Sequence, residues 1–147
     1  MTTRTNPYIA APDLLKAWMA FSDHVGSSGL EKSLLELVKI RASQINGCAN
    51  CLNMHSYEAR QGGETEQRIA VLAAWHEAPL YTDRERAALA WTEHLTLVAD
   101  KRAPQHVYVR FAMSAPELGR RTLYANLGRA AGQDDEDSYA LIWNPGD

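Results

Sequence analysis

Apolar residues recur at intervals of three and four between positions 30 and 100, and no run in this stretch alternates with a period of two. The first spacing lines one face of an α-helix with apolar side chains, whereas strict alternation would indicate a half-buried β-strand. The sequence therefore predicts an all-α fold. Its 147 residues, 46% of them hydrophobic, are enough to form a sizeable core, and we expect one domain over 1–147.

Start and stop signals divide this pattern into helices. Glycine favours helix ends because it tolerates left-handed backbone conformations, so Asn46-Gly47 and Gly62-Gly63 are expected to end two helices. Thr82 and Glu85 have the spacing of a capping box, which begins a helix. After Pro104 the pattern weakens, and Ser114 is expected to begin a final helix. The other expected helices cover about residues 14–21, 31–45, 48–62, 65–75 and 82–98.

Charge and hydropathy exclude several classes of protein. The net charge of −3 owes its sign to the atypical last segment, 132–147, which holds five acidic residues and no basic one. No cluster of lysine and arginine indicates a nucleic-acid surface. No stretch has the length of a membrane span, and charged residues stand where a signal peptide would be apolar. We expect a cytoplasmic protein that binds neither nucleic acid nor membrane.

The two cysteines, Cys48 and Cys51, form a Cys-x-x-Cys pair. A secreted disulfide scaffold normally has more cysteines, so the pair is predicted to be redox-active or metal-binding. Cys48, Cys51 and His55 are three and four residues apart, which places them on one helical face. At a helix N-terminus, unpaired N–H groups and the macrodipole stabilise a thiolate. We expect mild oxidation to form an intramolecular disulfide that an external dithiol reopens.

Two other interpretations of the pair remain open at this point. The cysteines can be small buried residues, or they can bind zinc together with His55 and a carboxylate or water. Zinc is disfavoured because structural zinc motifs usually draw their ligands from two segments. Leu52 stands where haem attachment needs histidine, and a thioredoxin-type domain would need strands. We therefore expect no cofactor and no bound metal.

A longer pattern includes both cysteines: Glu36, eleven residues, Cys48-x-x-Cys51, three residues and then His55. It resembles the signature of the alkylhydroperoxidase D-like group within the carboxymuconolactone decarboxylase family, and the runs 34–48 and 84–93 are also similar to that group. The resemblance extends over about residues 29–107. It implies an all-helical subunit that assembles as a homo-oligomer, a trimer or a hexamer, and reduces hydroperoxides with thiols.

The resemblance also implies a role for each residue of the pattern. Cys51 attacks the peroxide, Cys48 resolves the sulfenic acid into a disulfide, and Glu36 and His55 relay a proton, with electrons from a dithiol or a lipoyl-type protein. Helix geometry agrees, since His55 is about 6 Å along the axis from Cys51 and about 10.5 Å from Cys48. A positioned general base accelerates a reaction by about 10² to 10⁴-fold. This exceeds the acceleration that the helix dipole would give Cys48.

The chain departs from this family pattern at two places. Asn50 stands where the best-known members have a second histidine, so the resemblance does not extend to the full proton relay or to high peroxidase activity. Residues 109–147 match the family's final helix poorly, which divergence or an altered reading frame would explain.

Other functional assignments also fit parts of the sequence. The family includes lactone decarboxylases that act without a cysteine pair, and the pair would equally suit a non-enzymatic redox sensor. Glu36 has a simpler interpretation as an exposed helix residue paired with Lys32 or Lys39. His76 and His94 are expected to be packing or surface-edge residues.

Overall fold

The computed structural model describes residues 6–27 and 29–114, which form helices and no strand. The all-α prediction is therefore confirmed. None of the helices in these two ranges is long and apolar enough to cross a bilayer. In chain order the helices are α1 (Pro7–Ala10), α2 (Pro12–Gly26), α3 (Lys32–Asn46), α4 (Ala49–Gln61), α5 (Glu66–Val71) with a 3-10 turn over Leu72–Ala74, α6 (Asp83–Thr96), α7 (Val98–Lys101) and α8 (Gln105–Ser114).

The predicted helix ends around the cysteine pair are confirmed. Gly47 ends α3 in the left-handed region, with a φ of 63°, where a residue with a Cβ would be strained. Cys48 is the N-cap of α4. The capping box before α6 is present, because the Thr82 hydroxyl accepts from the Glu85 N–H and the Glu85 carboxylate accepts from the Thr82 N–H.

Other boundaries differ from the predictions. α2 is longer than expected, the helix expected over 65–75 tightens into a 3-10 turn after Val71, and α6 ends at Thr96. α8 was not predicted, and Ser114 is its last residue. Phe111 on α8 is buried against Trp91 of α6, so tertiary packing stabilises this helix. The helix expected after Ser114 and the acidic segment 132–147 lie outside the described residues.

The core lies on both sides of α3, which contacts α4 and α6. Leu37 and Leu89 are completely buried. Packing of this kind fixes α3 against α4 and so sets the distance between side chains that the two helices direct at each other. One cluster contains Leu30, Leu34, Leu35, Val38, Ala88, Trp91, Leu95 and Phe111, and the other contains Leu37, Ile40, Ala59, Leu72, Trp75, Tyr81 and Leu89.

Candidate active site

The reversal between α3 and α4 positions the cysteine pair. Gly47 turns the chain, and Cys48 then caps α4 with its sulfur, which accepts the Cys51 N–H at 3.3 Å. Cys48 and Cys51 are partly buried and joined by a disulfide, with their Cα atoms 5.3 Å apart. The spacing therefore permits the bond expected from sequence. A zinc site that uses both sulfurs requires the reduced pair.

Glu36 and His55 meet across the α3–α4 interface. His55 Nδ1 lies 3.1 Å from Glu36 Oε2, and Lys39 Nζ donates to Glu36 Oε1 at 3.0 Å. Glu36 is only 3% exposed, so its interpretation as an exposed helix residue is wrong, although the pairing with Lys39 is present. The pattern Glu36, Cys48-x-x-Cys51, His55 thus places its carboxylate in direct contact with its imidazole.

The surroundings of Glu36 favour the ionised carboxylate. Burial by itself would raise the pKa of this carboxyl, but hydrogen bonds from His55 and Lys39 outweigh it and lower the pKa below the ordinary value of 4.5. An ionised Glu36 accepts a hydrogen bond from Nδ1–H of His55. In the neutral ring the lone pair is then on Nε2, and this nitrogen can accept a proton.

Glu58 is a third member of the cluster that the sequence analysis did not select. Its Oε2 lies 3.3 Å from His55 Nδ1, and its side chain is 42% exposed. The only available sequence signal was its place three residues after His55 on α4. The oxygen and nitrogen atoms that Glu36, His55 and Glu58 contribute lie within 4.8 Å of one another, a separation compatible with a metal ion.

The sequence profile of the Carboxymuconolactone decarboxylase family matches residues 12–94, which is more than half of the chain. The chain belongs to the carboxymuconolactone decarboxylase family. This family member is 44% identical over 110 residues to the uncharacterized protein YdfG of Bacillus subtilis, with 75% of each chain covered. It is 42% identical over 45 residues to the alkyl hydroperoxide reductase AhpD of Hyphomonas neptunium, which covers 31% of this chain and 25% of the relative.

A solved structure also resembles this carboxymuconolactone decarboxylase family member. It is a protein of unknown function from Agrobacterium tumefaciens that is provisionally assigned as an antioxidant defence protein AhpD. The two structures superpose with a TM-score of 0.76 at 38% identity, covering 89% of this chain and 87% of the other. The AhpD-like fold expected from the sequence is therefore confirmed.

A second carboxylate cluster, which the sequence analysis also missed, lies around Glu93 of α6. Its Oε1 accepts from Trp75 Nε1 at 2.9 Å and from Arg41 Nε and Nη2 at 2.9 and 2.7 Å, while Lys101 Nζ lies 3.2 Å from Oε2. Burial alone would raise the pKa of Glu93, but the donors Trp75, Arg41 and Lys101 lower it to about 2. The sequence signal that could have identified Arg41 and Glu93 is their position within the runs 34–48 and 84–93, which resemble the family.

His76 is exposed and His94 is partly buried. His76 stacks on Trp75 with ring centroids 3.7 Å apart, and 62% of its side chain is exposed. His94 Nδ1 lies 3.0 Å from the Arg102 carbonyl oxygen. These contacts agree with the packing and surface-edge roles expected for both histidines.

Proposed function

We propose that the protein is a thiol-dependent peroxidase that reduces alkyl hydroperoxides through the Cys48–Cys51 couple. The observation that carries this proposal is the 3.1 Å contact between His55 Nδ1 and the buried carboxylate of Glu36. It orients an imidazole one helical turn after Cys51, where a base can activate a thiol. The similarity to AhpD and to a structure assigned to antioxidant defence supports the same chemistry.

The oxidative half-reaction begins from the reduced pair. His55 Nε2 accepts the proton of the Cys51 thiol, and Glu36 stabilises the resulting imidazolium through Nδ1. The Cys51 thiolate attacks one peroxide oxygen, the O–O bond breaks, and the alkoxide leaves with the proton from His55 as an alcohol. Cys51 is thereby oxidised to a sulfenic acid while the peroxide is reduced.

Cys48 then completes the turnover. Its sulfur attacks the Cys51 sulfur, the S–O bond breaks, and the hydroxyl leaves as water with the Cys48 proton. The product is the disulfide between the two residues. An external dithiol or lipoyl-type protein reduces it by exchange, which returns both protons to the pair and leaves the donor oxidised.

We also propose that the protein works as a homo-oligomer of at least three chains. Large apolar side chains on α1 and α2 support this proposal, since Tyr8, Ile9, Leu14 and Phe21 are between 47% and 80% exposed. We expect light scattering at micromolar concentration to give at least three times the 16.4 kDa of one chain. A mass of one chain would contradict assembly without affecting the proposed chemistry.

Peroxide consumption with a panel of dithiol donors tests the proposed reaction. We expect turnover by the wild type with at least one small dithiol or lipoyl donor, and none by the double variant Cys48→Ser/Cys51→Ser. The same preparations are tested for lactone decarboxylation, where activity that survives in the double variant would indicate a lyase. A wild type that changes assembly with redox state but consumes no peroxide would indicate a sensor instead.

A further inference from the structure

We propose that Glu36, His55 and Glu58 form a regulatory site for a divalent cation of the Zn²⁺ type. The inhibitory effect described below rests on the proposed peroxidase function, whereas the binding itself does not. The three ligand atoms lie within 4.8 Å of one another and come from two helices, α3 and α4. One imidazole nitrogen and two carboxylate oxygens are a donor set that zinc accepts, with water completing the coordination.

The distances within the cluster suit a shared cation. Ligands at about 2.0 to 2.2 Å from zinc in a tetrahedral site are about 3.3 to 3.6 Å from each other. His55 Nδ1 is 3.1 Å from Glu36 Oε2 and 3.3 Å from Glu58 Oε2. Lys39 donates to the other oxygen of Glu36, Oε1, so it need not be displaced. A hydrogen-bonded second partner of this kind orients a ligating carboxylate.

The charges of the cluster also favour a cation. With His55 neutral, two carboxylates face one ammonium, and one Nδ1–H lies within hydrogen-bond distance of both carboxylates. A divalent cation in place of that single proton would contact both oxygens directly. Glu58 is 42% exposed, so a cation can reach the cluster from solvent, while Glu36 supplies the buried ligand.

A second histidine–glutamate pair among the described residues provides a matched contrast. His76 Nε2 lies 3.4 Å from Glu93 Oε2, but Arg41, Trp75 and Lys101 already donate to that carboxylate. Two of these donors are cationic, so the Glu93 cluster repels a metal ion. The variant His76→Asn is therefore a suitable control for weak zinc binding by an exposed histidine outside the proposed site.

Zinc at this position would stop the proposed relay through a change of tautomer. A neutral imidazole that binds metal through Nδ1 carries its proton on Nε2. His55 would lose the Nδ1 proton and hold one on Nε2, the nitrogen that is proposed to accept the Cys51 proton. The bound cation would therefore inhibit peroxide reduction without touching either sulfur.

The binding test uses the full chain in its disulfide form, because oxidised cysteines cannot ligate zinc. We expect calorimetric titration with ZnCl₂ to give one site per chain in the wild type and His76→Asn. Glu58→Gln removes a half-exposed ligand without burying a new group, and it should weaken binding about tenfold or more. Nitrogen NMR should place the metal on His55 Nδ1. Equal affinity in the wild type and Glu58→Gln would overturn the site.

The inhibition test uses pre-reduced protein freed of dithiol, and it follows a single oxidation by peroxide. Each rate with ZnCl₂ is compared with the rate of the same protein without it. We expect ZnCl₂ to slow the wild type and His76→Asn at concentrations that leave the rate of Glu58→Gln at its own zinc-free value. Equal inhibition of all three would assign the effect to the cysteines and overturn the regulatory role. A wild type without peroxide reaction would refute the proposed function, while the calorimetry would still decide the site.

Discussion

Glu36 and Glu93 are buried to nearly the same degree, 3% and 5% exposed, but their partners differ in kind. Arg41, Trp75 and Lys101 donate to Glu93, and its histidine neighbour, His76, is 62% exposed and lies 3.4 Å away. Glu36 shares its carboxylate between Lys39 and His55, a largely buried histidine one helical turn after Cys51. The difference favours a structural role for Glu93 and agrees with the proton-transfer role proposed for Glu36.

The largest expected effect is the loss of stability on changing Glu93. Glu93→Gln removes the charge that compensates Arg41, which is only 16% exposed, so the guanidinium is left without its counterion. Breaking a buried ion pair from one side costs about 3 to 5 kcal/mol of unfolding free energy. Urea unfolding followed by circular dichroism measures it, with the exposed Glu77→Gln as the control. A loss below about 1 kcal/mol would mean that the Glu93 cluster does not stabilise the fold.

Lowering the pH should reduce the stability that the Glu93 cluster gives the wild type. The pKa of Glu93 is lowered from 4.5 to about 2, so its contribution to stability is complete above pH 4.5 and is lost as pH falls towards 2. A shift of this size corresponds to about 3 kcal/mol. We expect the wild type to lose more unfolding free energy than Glu93→Gln between pH 4.5 and 2. Parallel pH profiles of the two proteins would contradict the assigned cause.

Glu36→Gln should mainly reduce the activity, and it should lower the free energy of unfolding less than Glu93→Gln does. The amide still accepts a hydrogen bond from His55 but cannot stabilise an imidazolium by charge. We expect the second-order rate of Cys51 oxidation by peroxide to fall by about 10- to 100-fold, measured by stopped flow, with the free energy of unfolding less affected than in Glu93→Gln. A Glu36→Gln protein that reacts at the wild-type rate would place Glu36 with Glu93, as a structural carboxylate.

Part of the site could be predicted from local features of the sequence. Cys48, Cys51 and His55 follow from spacing within one helix, and Gly47 and the Thr82–Glu85 box mark the helix ends through local chemistry. Such features need no knowledge of tertiary structure. Glu36 was selected because its spacing to the cysteines resembles a family pattern.

The features that were missed depend on contacts between distant parts of the chain. Arg41 and Glu93 are 52 residues apart in sequence, and no local rule joins them. α8 contributes Phe111 to the core cluster that contains Trp91, so its helicity depends on packing that periodicity does not reveal. The contact of Glu58 with His55 depends on how α4 is set against α3. The roles assigned to the four site residues, the single domain and the assembly stay predictions.

The central claim is that the Glu36–His55 pair makes Cys51 the nucleophile. Single-turnover oxidation of the pre-reduced variants Cys48→Ser and Cys51→Ser, with mass spectrometry of a trapped sulfenic acid, tests it most directly. We expect Cys48→Ser to consume one equivalent of peroxide and stop as a sulfenic acid on Cys51, while Cys51→Ser reacts about 10²-fold or more slowly. The opposite result would show that the helix N-terminus activates Cys48 and that His55 and Glu36 do not have the proposed roles.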